Sequence, residues 1–137
     1  MATSKRANPV KSKEEKEKLA AQLTQIIEDL DAKIAELGKE QEPFLQNTYV
    51  SQRVQHPAFG EGVITGQQEE MITVSFSKDG LTKSFLIHRK YTSRPTFEKD
   101  EEAVTAFSDF ADRKVTINQM KQERIRLENQ RAALLQN

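Results

Sequence analysis

The chain has no cysteine, so it holds no disulfide and no thiolate metal site. Its two histidines, His56 and His88, stand far apart in sequence, a poor basis for an imidazole metal centre. No apolar run approaches the roughly 20 residues that a membrane-spanning helix needs. The opening MATSKRANPVKSK lacks the apolar stretch of a secretory leader. Together these absences predict a soluble cytoplasmic protein with no membrane attachment. Catalytic signatures are missing too: there is no nucleophile-elbow glycine pattern, P-loop, dinucleotide fingerprint or metal-ligand spacing. The carboxylates are plentiful but fall in helix-forming segments, where solvation is their ordinary state. The expectation is a non-enzymatic protein with no cofactor and no metal.

What the chain does have is charge. Charged residues make up 31% of its 137 residues and mean hydropathy is −0.73, too polar for one large globular core. A small core with helices that bury only one stripe fits that balance. The charges cancel overall, and no region departs far from neutrality. Residues 1–47 carry 8 basic and 9 acidic side chains, residues 48–97 carry 6 and 4, and residues 98–137 carry 7 and 8. Tight nucleic-acid binders concentrate a much larger basic excess on one face, so at most a weak nucleic-acid contact is expected.

Residues 1–11 are polar and interrupted by Pro9, and predict a disordered arm. Lys5, Arg6 and Lys11 give it a basic character that suits either solvent or an acidic surface. Ser12 and Glu15 have the spacing of a capping box. Leu19, Leu23, Ile26, Ile27, Leu30, Ile34 and Leu37 come next in steps of three and four, one helical stripe. Gly38 then offers a C-terminal cap, so a helix is expected over 12–38. Residues 39–48 read as a linker, with Pro43 blocking continuation and Phe44 and Leu45 plugging the junction between the helix and the strand region.

From 49 to 94 the pattern changes to period two. Val50, Gln52 and Val54 alternate, Gly60 and Gly62 permit a sharp bend, and Val63 to Thr65 form a second strand. Ile72, Val74 and Phe76 alternate with Thr73 and Ser75, a half-buried strand. Asp79-Gly80 is a hairpin signal, and Leu81 to Ile87 continue beyond it. Short strands at this spacing predict a small SH3-like β-barrel. Beyond Pro95 the helical period returns over 97–135, with Glu98, Asp100, Glu101 and Glu102 crowding the first turns. Val104, Phe107, Phe110, Ala111, Ile117, Met120, Leu127 and Leu134 make its stripe, interrupted by Arg124 and Arg131. The predicted class is therefore α+β: a small barrel between two long helices that pair as an antiparallel hairpin.

The run Arg53-Val54-Gln55-His56-Pro57-Ala58-Phe59-Gly60-Glu61-Gly62-Val63-Ile64, with I-x-V-x-F, a D-G turn and Lys83-Ser84-Phe85-Leu86 after it, resembles the Tudor-like barrel at the C-terminus of UvrD/PcrA-type DNA helicases. It is more loosely similar to the KOW/Tudor-like modules of transcription factors. The resemblance covers the strand region alone; the helicase motor is missing and the flanking helices have no counterpart in that tail. It implies RNA polymerase as a partner type for the barrel.

The residues themselves suggest where a partner would touch. Arg89, Lys90, Tyr91 and Arg94 combine cations with an aromatic ring at the exit of the last strand, suited to an acidic protein surface or to phosphates. His56 and Phe59 have two readings, a turn-closing hydrogen bond with a core ring, or direct partner contact. Three functions are compatible with these residues: a transcription-related adaptor docking RNA polymerase, a KOW-type nucleic-acid-binding module, or a coiled-coil scaffold in which the helices form a homodimer.

Overall fold

The computed structural model describes residues 12–100 and 102–136; the basic arm expected over 1–11 lies outside the described residues. The chain is α+β, with the order α1 (Lys13–Gln46), β1 (Arg53–His56), β2 (Gly60–Gln68), β3 (Met71–Phe76), β4 (Thr82–Leu86), β5 (Thr96–Phe97) and α2 (Ala103–Leu135). It divides into two compact units. One combines the segment up to Glu36 with the segment from Asn118 onward; the other spans Leu37–Ile117.

In the helical unit Ser12 caps the helix as expected, the Glu15 N–H donating to Ser12 Oγ at 3.1 Å, while the Glu15 carboxylate accepts from the Ser12 hydroxyl at 3.2 Å rather than from its backbone N–H. Ala20, Ile27 and Leu127 are buried. Ile26, counted in the stripe by its spacing, faces outward at 46% exposure. Arg124 and Arg131 interrupt the apolar stripe but do not expose it. Arg124 pairs with Asp31 on α1 and with Glu128 at 2.7 Å, and Arg131 donates to Thr24 Oγ1 at 3.0 Å. Long guanidinium side chains let an apolar stem cover the seam while the head finds a polar partner.

The second unit holds the sheet. Its strands run in the order β4-β3-β2-β1-β5, all antiparallel. The closed barrel expected from the strand spacing does not form, since β4 and β5 are both edges. The strand that would close it, β5, is two residues long and is spent on β1, pairing Val54 with Phe97 and Gln55 with Thr96. That short strand also corrects the expected helix start: Phe97 is sheet, and α2 begins at Ala103. Glu98, Asp100 and Glu102 precede α2, where the Glu102 N–H donates to Asp100 Oδ1 at 3.2 Å.

Alternation decides what the sheet buries. Ile72, Val74 and Phe76 are at most 1% exposed, as are Val54 and Ile64. The second strand continues to Gln68, beyond the end expected at Gly66, because a register shift between Ile64 and Gly66 absorbs the irregularity. Gly80 closes the β3–β4 turn in the left-handed region at φ 65°.

The helix expected to end at Gly38 runs eight residues further, through Pro43. Tertiary packing outweighs the local signals here. The Phe44 ring stacks on Phe110 at 4.5 Å and meets Phe107 edge-on at 4.9 Å. Gln41 donates to the Phe110 carbonyl at 2.9 Å and accepts from Arg113 Nε at 2.6 Å. Pro43 deletes one hydrogen bond on an exposed face near the helix end, where the freed carbonyl is open to water. Leu45, expected in the junction, is 55% exposed.

Candidate partner-binding surface

The six residues singled out from the sequence fall into three environments. His56 and Phe59 belong to an aromatic cluster at one end of the sheet. The imidazole lies 4.7 Å from the Phe59 ring, 5.0 Å from Phe85 and 6.1 Å from Phe76. Its Nδ1 accepts from the Ala58 N–H at 3.0 Å and the Phe59 N–H at 3.3 Å, so the ring proton sits on Nε2. His56 is 4% exposed and ties down the β1–β2 turn, as the turn-closing reading expects. Phe59 is half-buried, with Lys83 Nζ lying 4.9 Å from its ring centre.

Burial pushes the His56 pKa below its ordinary 6.5, against an opposing hydrogen bond with the Ser93 backbone. The unfolded chain therefore takes up the proton first. This contribution to stability is complete above about pH 6.5 and is lost as pH falls from there through the lowered folded-state value. Urea unfolding of the wild type is expected to weaken across that window. In His56→Gln, which keeps an acceptor but cannot titrate, the same decline should be smaller. Equal slopes for the two proteins would assign the acid sensitivity elsewhere.

Arg89 is spent inside the molecule. Its Nη2 lies 3.3 Å from both Asp109 and Asp112 on α2, and its backbone N–H donates to Ser108 Oγ at 2.8 Å. The neighbouring His88, unselected from sequence, completes the clamp. Its Nε2 lies 2.9 Å from Asp112 Oδ1 while its Nδ1 accepts from the Lys90 N–H at 3.1 Å. The hydrogen bond from His88 is the main reason the Asp112 carboxyl is held below its ordinary pKa, aided by the charges of Arg89 and Lys90. These groups fasten the chain after β4 to α2, with the Arg89 side chain still 51% exposed.

Lys90 and Tyr91 are exposed and carry no ion pair among the described residues. Lys90 Nζ lies 5.3 Å from the Tyr91 ring centre, and Tyr91 is 38% exposed. Arg94 is half-buried, and its Nε has no hydrogen-bond partner among the described residues. Beside Lys90 and Tyr91 lies an open groove of about 650 Å³. It is lined by Met71 of β3, by Ser84, Phe85 and Leu86 of β4, and by Lys90 to Ser93. Met71 and Leu86 are cross-strand partners, 40% and 45% exposed, and among the described residues no carboxylate lines the groove. The sequence signal for this pair was the odd placement of apolar side chains on the otherwise polar outer face of β3 and β4.

Among the described residues, no cluster of three or more His, Cys, Asp or Glu is arranged to hold a metal ion, and no helix is long and apolar enough to cross a membrane. No protein-family model, curated protein or solved structure matches the chain.

Proposed function

We propose that this protein is a non-enzymatic adaptor that docks a protein partner through the sheet unit, at the surface formed by Lys90, Tyr91, Met71 and Leu86. The carrying observation is the composition of that surface. An exposed aromatic, two exposed apolar side chains and a lysine surround a groove that no described carboxylate lines. Buried aromatic anchors such as tyrosine contribute most to protein interfaces, with methionine enriched beside them and a polar rim around. The order of the four longer strands and the turn held by His56 favour an SH3-like module of Tudor type with one seam open. In the helical unit Asp31 meets Arg124, and Thr24, seven residues earlier, meets Arg131, seven residues later. That opposed stepping supports an antiparallel hairpin. RNA polymerase is the partner implied by the resemblance to the helicase barrel, which makes the protein a transcription-related adaptor.

The test is affinity capture from a nuclease-treated bacterial lysate, comparing the wild type with the double variant Lys90→Glu/Tyr91→Ala. Arg89 is left intact because reversing it would also break the clamp to α2. Wild type should recover RNA polymerase subunits. The variant should lose them by more than tenfold, the loss of a central aromatic contact, while still unfolding in a single cooperative transition. Equal recovery by both proteins would remove this surface from the function.

A further inference from the structure

The groove is bounded by a strand edge with unused backbone hydrogen-bonding groups. Antiparallel pairing alternates, so every second residue of a strand faces its neighbour. The Phe76 N–H donates to the Leu81 carbonyl at 2.8 Å and the Ile87 N–H donates to the Glu70 carbonyl at 3.0 Å. Between these two bonds the register pairs Val74 with Lys83 and Ile72 with Phe85. Leu81, Lys83, Phe85 and Ile87 therefore turn their backbone groups inward to β3. Thr82, Ser84 and Leu86 turn theirs outward, and none of these outward groups bonds to a backbone partner among the described residues.

An unpaired edge of this kind is a template for another strand. Here it is flanked by exposed Leu86 and Met71 on the outer face, by Tyr91 across the groove, and by the cations Lys83 and Lys90. Two copies of β4 pairing antiparallel about Ser84 would set Lys83 of each copy opposite Phe85 of the other, and neither strand carries a carboxylate to answer the lysines.

We infer that the outer edge of β4 receives an extended acidic segment of the partner protein as an added strand. The partner's backbone bonds to Thr82, Ser84 and Leu86. Its alternate apolar side chains lie against Met71, Leu86 and Tyr91 on the groove face, and its carboxylates, on the opposite face, lie towards Lys83. This rests on the adaptor reading for the surface and adds the mode and chemistry of recognition.

The discriminating variant is Ser84→Pro. Proline deletes an outward N–H and is tolerated at a strand edge whose N–H faces away from the sheet, so the β3–β4 ladder stays intact. The probe is a fluorescein-labelled peptide of alternating acidic and valine residues, with a lysine-for-acid peptide as control. Full-length wild type should bind the acidic peptide and not the lysine one. Ser84→Pro should bind it about tenfold more weakly, the loss of one interfacial hydrogen bond, with a melting temperature lowered only slightly by loss of the exposed Ser84–Thr73 hydroxyl contact.

Equal binding by Ser84→Pro, no binding of the acidic peptide by wild type, or equal binding of both peptides would each overturn strand addition. So would sedimentation showing a wild-type dimer that Ser84→Pro abolishes, which would place a second copy on the edge. Polymerase captured equally by wild type and Ser84→Pro would leave the adaptor reading standing and remove the edge. Peptide binding lost in Ser84→Pro, with no polymerase captured by wild type, would keep the edge and remove the polymerase.

Discussion

Replacing Phe107 with alanine is expected to remove about 4 kcal/mol of stability, the usual scale for emptying a buried aromatic site. Phe107 is 0% exposed. Its ring lies 4.9 Å from Phe44, 5.0 Å from Tyr49 and 5.6 Å from Phe97, so one side chain joins the last turns of α1, the chain entering the sheet, β5 and α2. Three aromatic neighbours fixed on different elements cannot all collapse into the space left behind, which places the loss high in its range. A small domain has only about 5–15 kcal/mol in total, so the variant should unfold at a much lower urea midpoint. Amide exchange over 41–46 should rise in the same variant, because the Phe44 turn of α1 continues past Pro43 only while it has rings to pack on. Val115→Ala, on the same helix at 55% exposure, should change the midpoint very little. A loss below about 1 kcal/mol for Phe107→Ala would contradict the packing described, being far outside the range for a buried aromatic.

Gly62→Ala is the second large effect, and its cause is crowding. A Cβ built on Gly62 would stand 2.5 Å from Val74 Cγ1, 2.9 Å from Phe76 Cδ1 and 3.0 Å from the Ser75 carbonyl oxygen. Val74 and Phe76 are themselves at most 1% exposed, and the carbonyl belongs to the sheet, so none of the three can swing aside. Overpacking of this kind costs about 3 kcal/mol. The same substitution at Gly66, four residues further along β2, meets Thr73 only at 3.6 Å, an ordinary contact. It should therefore be tolerated. Thermal unfolding of the two variants separates them: a drop of well over 10 °C is expected for Gly62→Ala, at roughly 4–8 °C per kcal/mol for a domain of this size. Similar melting temperatures for the two would mean that β2 and β3 do not pack as closely at Gly62 as these distances require.

These two sites also show what could be read from the sequence and what could not. Gly62 belongs to the turn motif that drew attention to the strand region, yet the sequence suggested freedom to bend there. The structure gives another reason for it, lack of room beneath Val74 and Phe76. The alternation of Ile72, Val74 and Phe76 was legible because a strand's faces repeat every two residues whatever the rest of the fold does. The cap at Ser12 was legible for the same reason, since both partners lie within one turn. The end of α1 was not. Pro43 is a local stop signal, and what overrides it, Phe107, Phe110 and Arg113, arrives more than sixty residues later. Nor was β5 legible: Thr96-Phe97 is too short to show a period and exists as a strand only through Val54 and Gln55.

The binding surface was read only in part, for a similar reason. In sequence Arg89 stands beside Lys90 and Tyr91 as one more cation near an aromatic ring. Its partners Asp109 and Asp112 lie on another element and turn it into a fastening. His56 was weighed between turn closure and partner contact, and its geometry accounts for the first. Lys90 and Tyr91 remain at the surface. Met71 and Leu86 join them only because the β3–β4 register sets them opposite each other, a fact no single segment contains.

Whether the sheet unit receives the partner at the β4 seam is decided by amide hydrogen exchange on the full chain with and without purified RNA polymerase core enzyme. Slowed exchange is expected to concentrate over 82–93, with the helical segments 13–36 and 118–135 unchanged. Slowing confined to those helical segments, or none anywhere in the chain, would refute docking at the seam.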